Sequence, residues 1–241
     1  MSPKNDNLDL DSAVSNFKRD GFILLPGFFR EKLMDHLERV IIAHFGAAPD
    51  FLHNDEFLTT AATEVIPWFP QRESVRDFDQ VESDPRLDEL TLAVLGSAWQ
   101  RQYCMVMFSK QGTSGQAWHQ DCAPENSAIY NLNRLVYTAD IVDRIGGQLL
   151  LVPGSYRRGL LPVGDPHGDL PEQITLRPRK GDLVLLHGHT WHRVLPVHGG
   201  YRSSTNFRAG PADVPESITD VCVYRNVRYR FSTSEVVEVR R

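Results

Sequence analysis

Lys180-Gly-Asp-Leu-Val-Leu-Leu-His-Gly-His-Thr-Trp-His-Arg193 is the stretch that decides the fold. Gly181-Asp182 makes a turn, and the apolar run Leu183–Leu186 then leads into three histidines, His187, His189 and His192. A run this short, bounded by glycine and rich in Leu and Val, reads as a buried strand rather than a helix. The same texture recurs at Tyr103–Ser109, Ala117–Cys122, Asn133–Val142, Gln148–Val152, Gln173–Arg177 and Ser203–Arg208. Gly146-Gly147, Pro153-Gly154, Gly199-Gly200 and Gly210-Pro211 separate the runs. Many short strands between turns predict a sandwich or barrel, not a parallel α/β sheet.

Upstream of Gly96 the pattern is different. A short helix is expected from Ser12, with Ser12 as its cap and Gly21 past its end. Phe22–Leu25 reads as a strand closed by Pro26-Gly27. A second helix covers about 30–45, with Leu33, Leu37, Val40, Ile41 and His44 in one stripe. A third covers Asp84–Leu95, with Asp84 as cap and Pro85 in the first turn. Residues 46–83, with Phe51, Phe57, Trp68 and Phe69, show little periodicity and read as a lid or a surface excursion. The expected organisation is one domain over 1–241: a mostly helical N-terminal part and lid over 1–100, and a β core over 101–241.

Composition narrows the function. The 241 residues are 41% hydrophobic and 24% charged, with formal net charge -5. A nucleic-acid or anionic-membrane binder has the opposite bias, so neither partner is expected. No apolar run reaches the roughly 20 residues that cross a bilayer. The N-terminus, Met1 to Asp6, is polar, without a signal-like apolar stretch. Three widely spaced cysteines, Cys104, Cys122 and Cys222, suit a reducing, cytoplasmic setting.

The chemistry is carried by histidine and aspartate. His-x-Asp occurs at His53-Asn-Asp55, His119-Gln-Asp121 and His167-Gly-Asp169. His53 falls in the irregular region, and His167 lies among Pro and Gly in a turn. Only His119 lies in a strand-like run, where positions two apart share a face and can reach one metal ion. A third ligand is expected from the remote cluster at 187–192, in which His187 and His189, taken singly, read as core residues. Two imidazoles and one carboxylate leave coordination positions open, the arrangement suited to a non-haem Fe(II) that binds a cosubstrate and O₂. Ten residues beyond His192 stands Arg202, with Ser204 two further on. An arginine fork with a neighbouring hydroxyl suits the far carboxylate of 2-oxoglutarate.

Together these residues resemble the phytanoyl-CoA dioxygenase-like family of Fe(II)/2-oxoglutarate oxygenases. Phe17–Phe28 is similar to the family's opening helix and strand, Trp118-His-Gln-Asp121 to its proximal iron motif, and Gly147–Ser155 to the strand ending in Pro-Gly-Ser. Lys180–His187 followed by His192 resembles its distal motif, in which the later histidine binds iron. The resemblance implies a mainly β protein with N-terminal helices, its core a double-stranded β-helix (jelly-roll, cupin-like) flanked by helices. It implies His119, Asp121 and His192 as catalytic iron ligands, and Arg202 and Ser204 as the 2-oxoglutarate site. Asp121 separates the chain from the related halogenases, which carry a small residue there. Gln116 and Asn133 are further candidates for cofactor contact or ligand orientation, with Trp118 also for orientation and Lys110, Asn131 and Tyr137 for 2-oxoglutarate. Trp191 is expected to pack. The implied activity is hydroxylation of a small natural-product or acyl substrate, releasing succinate and CO₂, with residues 46–83 and 123–132 lining the entrance. Arg157-Arg158 and Arg177, Arg179 and Lys180 read as solvated charge rather than a coenzyme A site. Two other readings fit the residues: a cupin-like metal enzyme that does not use 2-oxoglutarate, and a non-catalytic jelly-roll binding module. Oligomeric state is not legible.

Overall fold

The computed structural model describes residues 9–46, 64–122 and 125–213, and the backbone of strands at 221–224, 227–231 and 236–240. Helix α1 spans Leu10–Asp20. Its cap is Asp9, not Ser12: the Asp9 carboxylate accepts the Ser12 amide at 3.0 Å and the Ser12 hydroxyl at 2.7 Å. Gly21, at φ 78°, ends it. Strand β1 is Phe22–Leu25 and helix α2 is Glu31–Phe45. On α2 the stripe shifts by one position from expectation: Met34, Leu37 and Ile41 are buried, while Leu33 and Val40 pack partly exposed.

Residues 64–83 are more ordered than their sequence suggests. Strand β2 is Ile66–Trp68, a 3-10 turn covers Pro70–Glu73, and the one-turn α3 covers Asp79–Glu82. Trp68 and Phe78 bury their rings edge to face at 5.7 Å. Phe51, Phe57 and His53 lie outside the described residues. Helix α4 is Pro85–Leu95, capped by Asp84 as expected.

The remaining strands are β3 Trp99–Lys110, β4 Gln116–Gln120, β5 Leu132–Val136, β6 Leu149–Leu151, β7 Ile174–Leu176, β8 Leu183–His187, β9 His192–Val194 and β10 Tyr201–Pro211, followed by β11 Val221–Tyr224, β12 Val227–Phe231 and β13 Val236–Arg240. They form two antiparallel sheets, ordered β1-β8-β5-β10-β3-β2 and β13-β12-β11-β4-β9-β6-β7. From β3 to β11 the chain passes back and forth between the sheets, the jelly-roll pattern, and the sheets stay open rather than closing into a barrel. No helix of the described residues is long and apolar enough to cross a membrane.

Alternation within the strands divides two apolar layers. Leu183, Leu185 and Phe207 point out of the first sheet, under Phe17, Met34, Leu37, Ile41 and Leu87 of the helices. Leu135, Val184 and Leu186 point inward, against Leu149, Leu151 and Val194 of the second sheet. The N-terminal part does more than cover the β core, because β1 and β2 are the two edge strands of the first sheet.

Candidate metal centre and cosubstrate site

His119 and His192 are direct cross-strand partners on β4 and β9, with ring centroids 4.0 Å apart. Strand β4 ends at Gln120, and Asp121 follows in a bend that its own amide fixes by donating to the Gly188 carbonyl at 2.8 Å. This brings one potential ligand atom each from His119, Asp121 and His192 within 4.8 Å of one another, all on buried residues. His119 Nε2 lies 3.8 Å and His192 Nε2 3.4 Å from the Asp121 carboxylate.

The backbone sets the tautomers. His119 Nδ1 lies 2.7 Å from the Ala117 carbonyl, and His192 Nδ1 2.9 Å from that of Thr190. A carbonyl oxygen can only accept, so both Nδ1 atoms carry hydrogen and both Nε2 lone pairs turn toward Asp121. Burial, and then His192, push the His119 imidazole down to about 3. Burial alone would raise the Asp121 carboxyl, but Arg208 foremost, with His192, His119 and Asn133, brings it down to about 2. Neutral imidazole with ionised carboxylate is the protonation state that a divalent metal requires. The donor set and its spacing fit one metal ion with open positions.

Asn133 stands behind this cluster rather than at the cosubstrate end. Its Nδ2 donates to Asp121 at 2.6 Å, and its Oδ1 accepts from Asn206 at 2.7 Å and Arg208 at 3.0 Å. The amide therefore orients the carboxylate. Asn131 holds the Asp121 backbone, donating to its carbonyl at 3.1 Å.

Strand β10 carries Arg202, Ser204, Asn206 and Arg208 on its inner row. At one end Arg202 is buried, its Nε donating to Gly147 O at 2.9 Å and its guanidinium to Ser204 Oγ at 3.1 Å. A Cβ on Gly147, at φ +72°, would stand 2.5 Å from Arg202 Cδ, so this arginine seat needs glycine. Ser109 faces Arg202 across the ladder, and the Tyr137 ring lies 6.0 Å from its guanidinium. Burial lowers the Arg202 pKa, offset in part by Tyr137. Ser109 Oγ is buried and makes no hydrogen bond, and Tyr137 OH is buried on the Arg202 side of the site. A buried cation beside two buried hydroxyls is a fitting seat for a carboxylate. Gln116 pairs with Val194 through an irregular register, which turns it inward on the second sheet, half-buried, without a hydrogen bond to the triad or Arg202.

Other expectations sort plainly. Trp118 and Trp191 pack together on the outer side of the second sheet, both away from the chemistry. His187 stacks on Tyr130 at 4.3 Å and has Tyr156 at 4.6 Å; its Nδ1 accepts from the His189 amide at 3.1 Å. The backbone of His167 serves a turn, its amide donating to Asp165 at 2.9 Å and its carbonyl accepting from Arg193. Lys110 ends β3 half-buried. Arg208 was missed by the sequence reading. Its signal was the alternation 202, 204, 206, 208, in which every inner position is polar.

A jelly roll with two histidines and a carboxylate gathered between its sheets defines a class of metal-binding oxidoreductase scaffold. The family model of phytanoyl-CoA dioxygenase (PhyH) matches residues 17–202, and the chain belongs to this family. A search of curated proteins gave no match. Among solved structures, HygX from Streptomyces hygroscopicus with nickel and 2-oxoglutarate bound has TM-score 0.68 at 17% identity, over 85% of this chain and 88% of that one. The non-heme alpha ketoglutarate dependent epimerase SnoN from nogalamycin biosynthesis has TM-score 0.60 at 18% identity, over 90% and 85% of the two chains.

Proposed function

We propose that the protein is an Fe(II)- and 2-oxoglutarate-dependent dioxygenase that hydroxylates a small molecule. The observation that carries this reading is the inward convergence of His119, Asp121 and His192 on one point, with the Arg202 seat on the same inner surface. His119, Asp121 and His192 are the residues that would hold the iron, and Arg202, Ser204, Ser109 and Tyr137 those that would hold the distal carboxylate of 2-oxoglutarate. Iron bound there, with 2-oxoglutarate and O₂, supplies the oxidising chemistry, with succinate and CO₂ as co-products.

The chain's own contribution is geometric and electrostatic. The Ala117 and Thr190 carbonyls hold both imidazoles in the ligating tautomer. Asn133 fixes the Asp121 carboxylate, and Arg202 sets the direction from which a diacid enters. The buried aliphatic row of Leu135, Leu149, Leu151 and Val194 excludes water around them. The whole chain acts as one domain in this reading, and 46–83 and 123–132 are the segments proposed to line its entrance, of which 47–63 and 123–124 lie outside the described residues. HygX has been solved with hygromycin B, which supports a small natural product as the substrate type. SnoN supports a second reading, stereochemical inversion at carbon by the same centre.

The test is anaerobic titration of Fe(II) and 2-oxoglutarate, followed by succinate measurement on admitting O₂ with ascorbate. A visible charge-transfer band that fades in Arg202→Ala, and succinate that disappears in His119→Ala, are the expected results. Stoichiometric iron without the band would favour the cupin-like enzyme that does not use 2-oxoglutarate. No iron binding at all would leave the binding module.

A further inference from the structure

The pairing of β5 with β10 has a gap beside the metal centre. The two strands pair at Thr205 with Val136, Asn206 with Leu135 and Ala209 with Leu132, and the pairing skips Phe207 and Arg208. On its other side β10 shifts register against β3 between Arg208 and Ala209. A strand whose regular pairing is interrupted on both sides holds its path only if other groups take the freed backbone atoms. The gap lies opposite Asn133 and Arg134, and Asn133 is the residue that holds the Asp121 carboxylate at 2.6 Å.

Two side chains close the gap, one on each face of the sheet. On the inner face Asn206 accepts the Arg134 amide at 3.2 Å and donates to Asn133 Oδ1 at 2.7 Å. On the outer face Arg134 Nε donates to the Phe207 carbonyl. The rest of the guanidinium is anchored in the helical layer: Nη2 donates to Glu82 of α3 at 2.6 Å, and Nη1 to Thr91 of α4 at 3.3 Å. Arg134 is fully buried, and its outer-row neighbours Leu132 and Val136 belong to the apolar core. A buried guanidinium–carboxylate pair is a weak source of stability, and well-packed apolar residues often serve as well. A cation at this position calls for another reason, and its bond to the Phe207 carbonyl supplies one.

We propose that Arg134 is a positioning residue for the metal centre: from the outer core it closes the β5–β10 gap and so sets Asn133 against Asp121. Its own bonds go to Glu82, Thr91, Phe207 and Asn206, none of them a ligand. The inference rests on the functional reading above only in taking His119, Asp121 and His192 as the metal ligands. It makes the N-terminal helices, through Glu82 and Thr91, a support of the metal centre as well as a cover for the core.

The test measures Ni(II) affinity by calorimetry, and the visible bands of Co(II)-loaded protein as a report of ligand geometry, on the full chain. Arg134→Met should weaken Ni(II) binding about 10-fold, the low end for groups that orient a metal ligand, and should shift the Co(II) bands. Arg134→Lys, which keeps one charged donor, should lie between it and wild type. Val136→Ala is the comparison, since it loosens the same outer row without removing a bond across the gap. It should lower the urea midpoint and leave Ni(II) affinity and the Co(II) bands unchanged. Arg134→Met combined with Asn133→Ala should lose less than the product of the two separate losses, because both act on one carboxylate. If Arg134→Met fails to fold, Arg134→Lys carries the test, with weaker Ni(II) binding and shifted bands expected. Wild-type affinity and bands in the arginine variants, losses that multiply independently with Asn133→Ala, or an equal loss in Val136→Ala would overturn the inference. Wild type that binds no Ni(II), or binds it equally well in Asp121→Ala, would overturn the functional reading first, and this inference with it.

Discussion

Two buried histidine pairs, His119 with His192 and His187 with His189, are alike in burial, and the proposed metal site uses only the first. His119 and His187 both have imidazoles that burial pushes down to about 3. Burial and a low imidazole pKa therefore do not distinguish them. The difference lies in what each ring nitrogen meets. At His119 and His192 a backbone carbonyl takes Nδ1, and Nε2 faces a carboxylate. At His187 the Nδ1 accepts a backbone amide and the ring is stacked against Tyr130 and Tyr156. The first arrangement leaves lone pairs converging on a point; the second uses the ring as packing with one internal bond. Convergence on a shared anion is what favours the first pair as the proposed metal ligands.

The sharpest way to break this contrast is Asp121→Ala. Calorimetric Ni(II) or Fe(II) affinity should fall by far more than the roughly 10- to 100-fold expected for a residue outside the ligand set. Asn133→Ala should fall within that 10- to 100-fold range, because the carboxylate loses a 2.6 Å donor but keeps its position in the chain. Undiminished affinity in either variant would place the metal elsewhere. Gly147→Ala should leave metal affinity alone and weaken 2-oxoglutarate binding, since the new Cβ would meet Arg202. An unchanged KM for 2-oxoglutarate would detach Arg202 from the cosubstrate.

Acid stability of the metal-free protein gives a subtler comparison. Both imidazoles titrate from 6.5 when unfolded to about 3 when folded. The unfolded chain binds more protons between those values, so their contribution is complete above pH 6.5 and is lost as pH falls toward 3. The slope is about 1.4 kcal/mol per pH unit for each imidazole. His187→Phe should remove about half of this slope in urea melts at several pH values, with metal affinity unaltered. This is the smallest expected effect, and a change in metal affinity would make His187 part of the centre.

Much of this was legible in the sequence, for local reasons. Glycine and proline bounded most strands, and period-two alternation placed His119 on an inward row. The Asp84 cap and the Gly21 stop followed from residue type. Where two residues could serve one purpose, sequence failed: Asp9 and Ser12 both suit a cap, and only the chain path selects Asp9. Strand β9 is three residues long and shares its sequence with the histidine cluster, so periodicity had nothing to act on. Asn133 stayed open between cofactor contact and ligand orientation because its distance from Asp121, through pairing of separate strands, is a tertiary fact.

The edge strand β1 has a consequence for biosynthesis. Phe22 pairs with Leu186, so its partner is translated 164 positions later. At ribosomal rates of about 5–20 residues per second, the Phe-Ile-Leu-Leu edge waits about 10–30 s for its neighbour. Through that interval it is an unpaired apolar template, open to other nascent chains. A circular permutant that begins after β1 and carries this strand at its far end would shorten the wait, and its soluble yield at high expression should exceed that of the natural order.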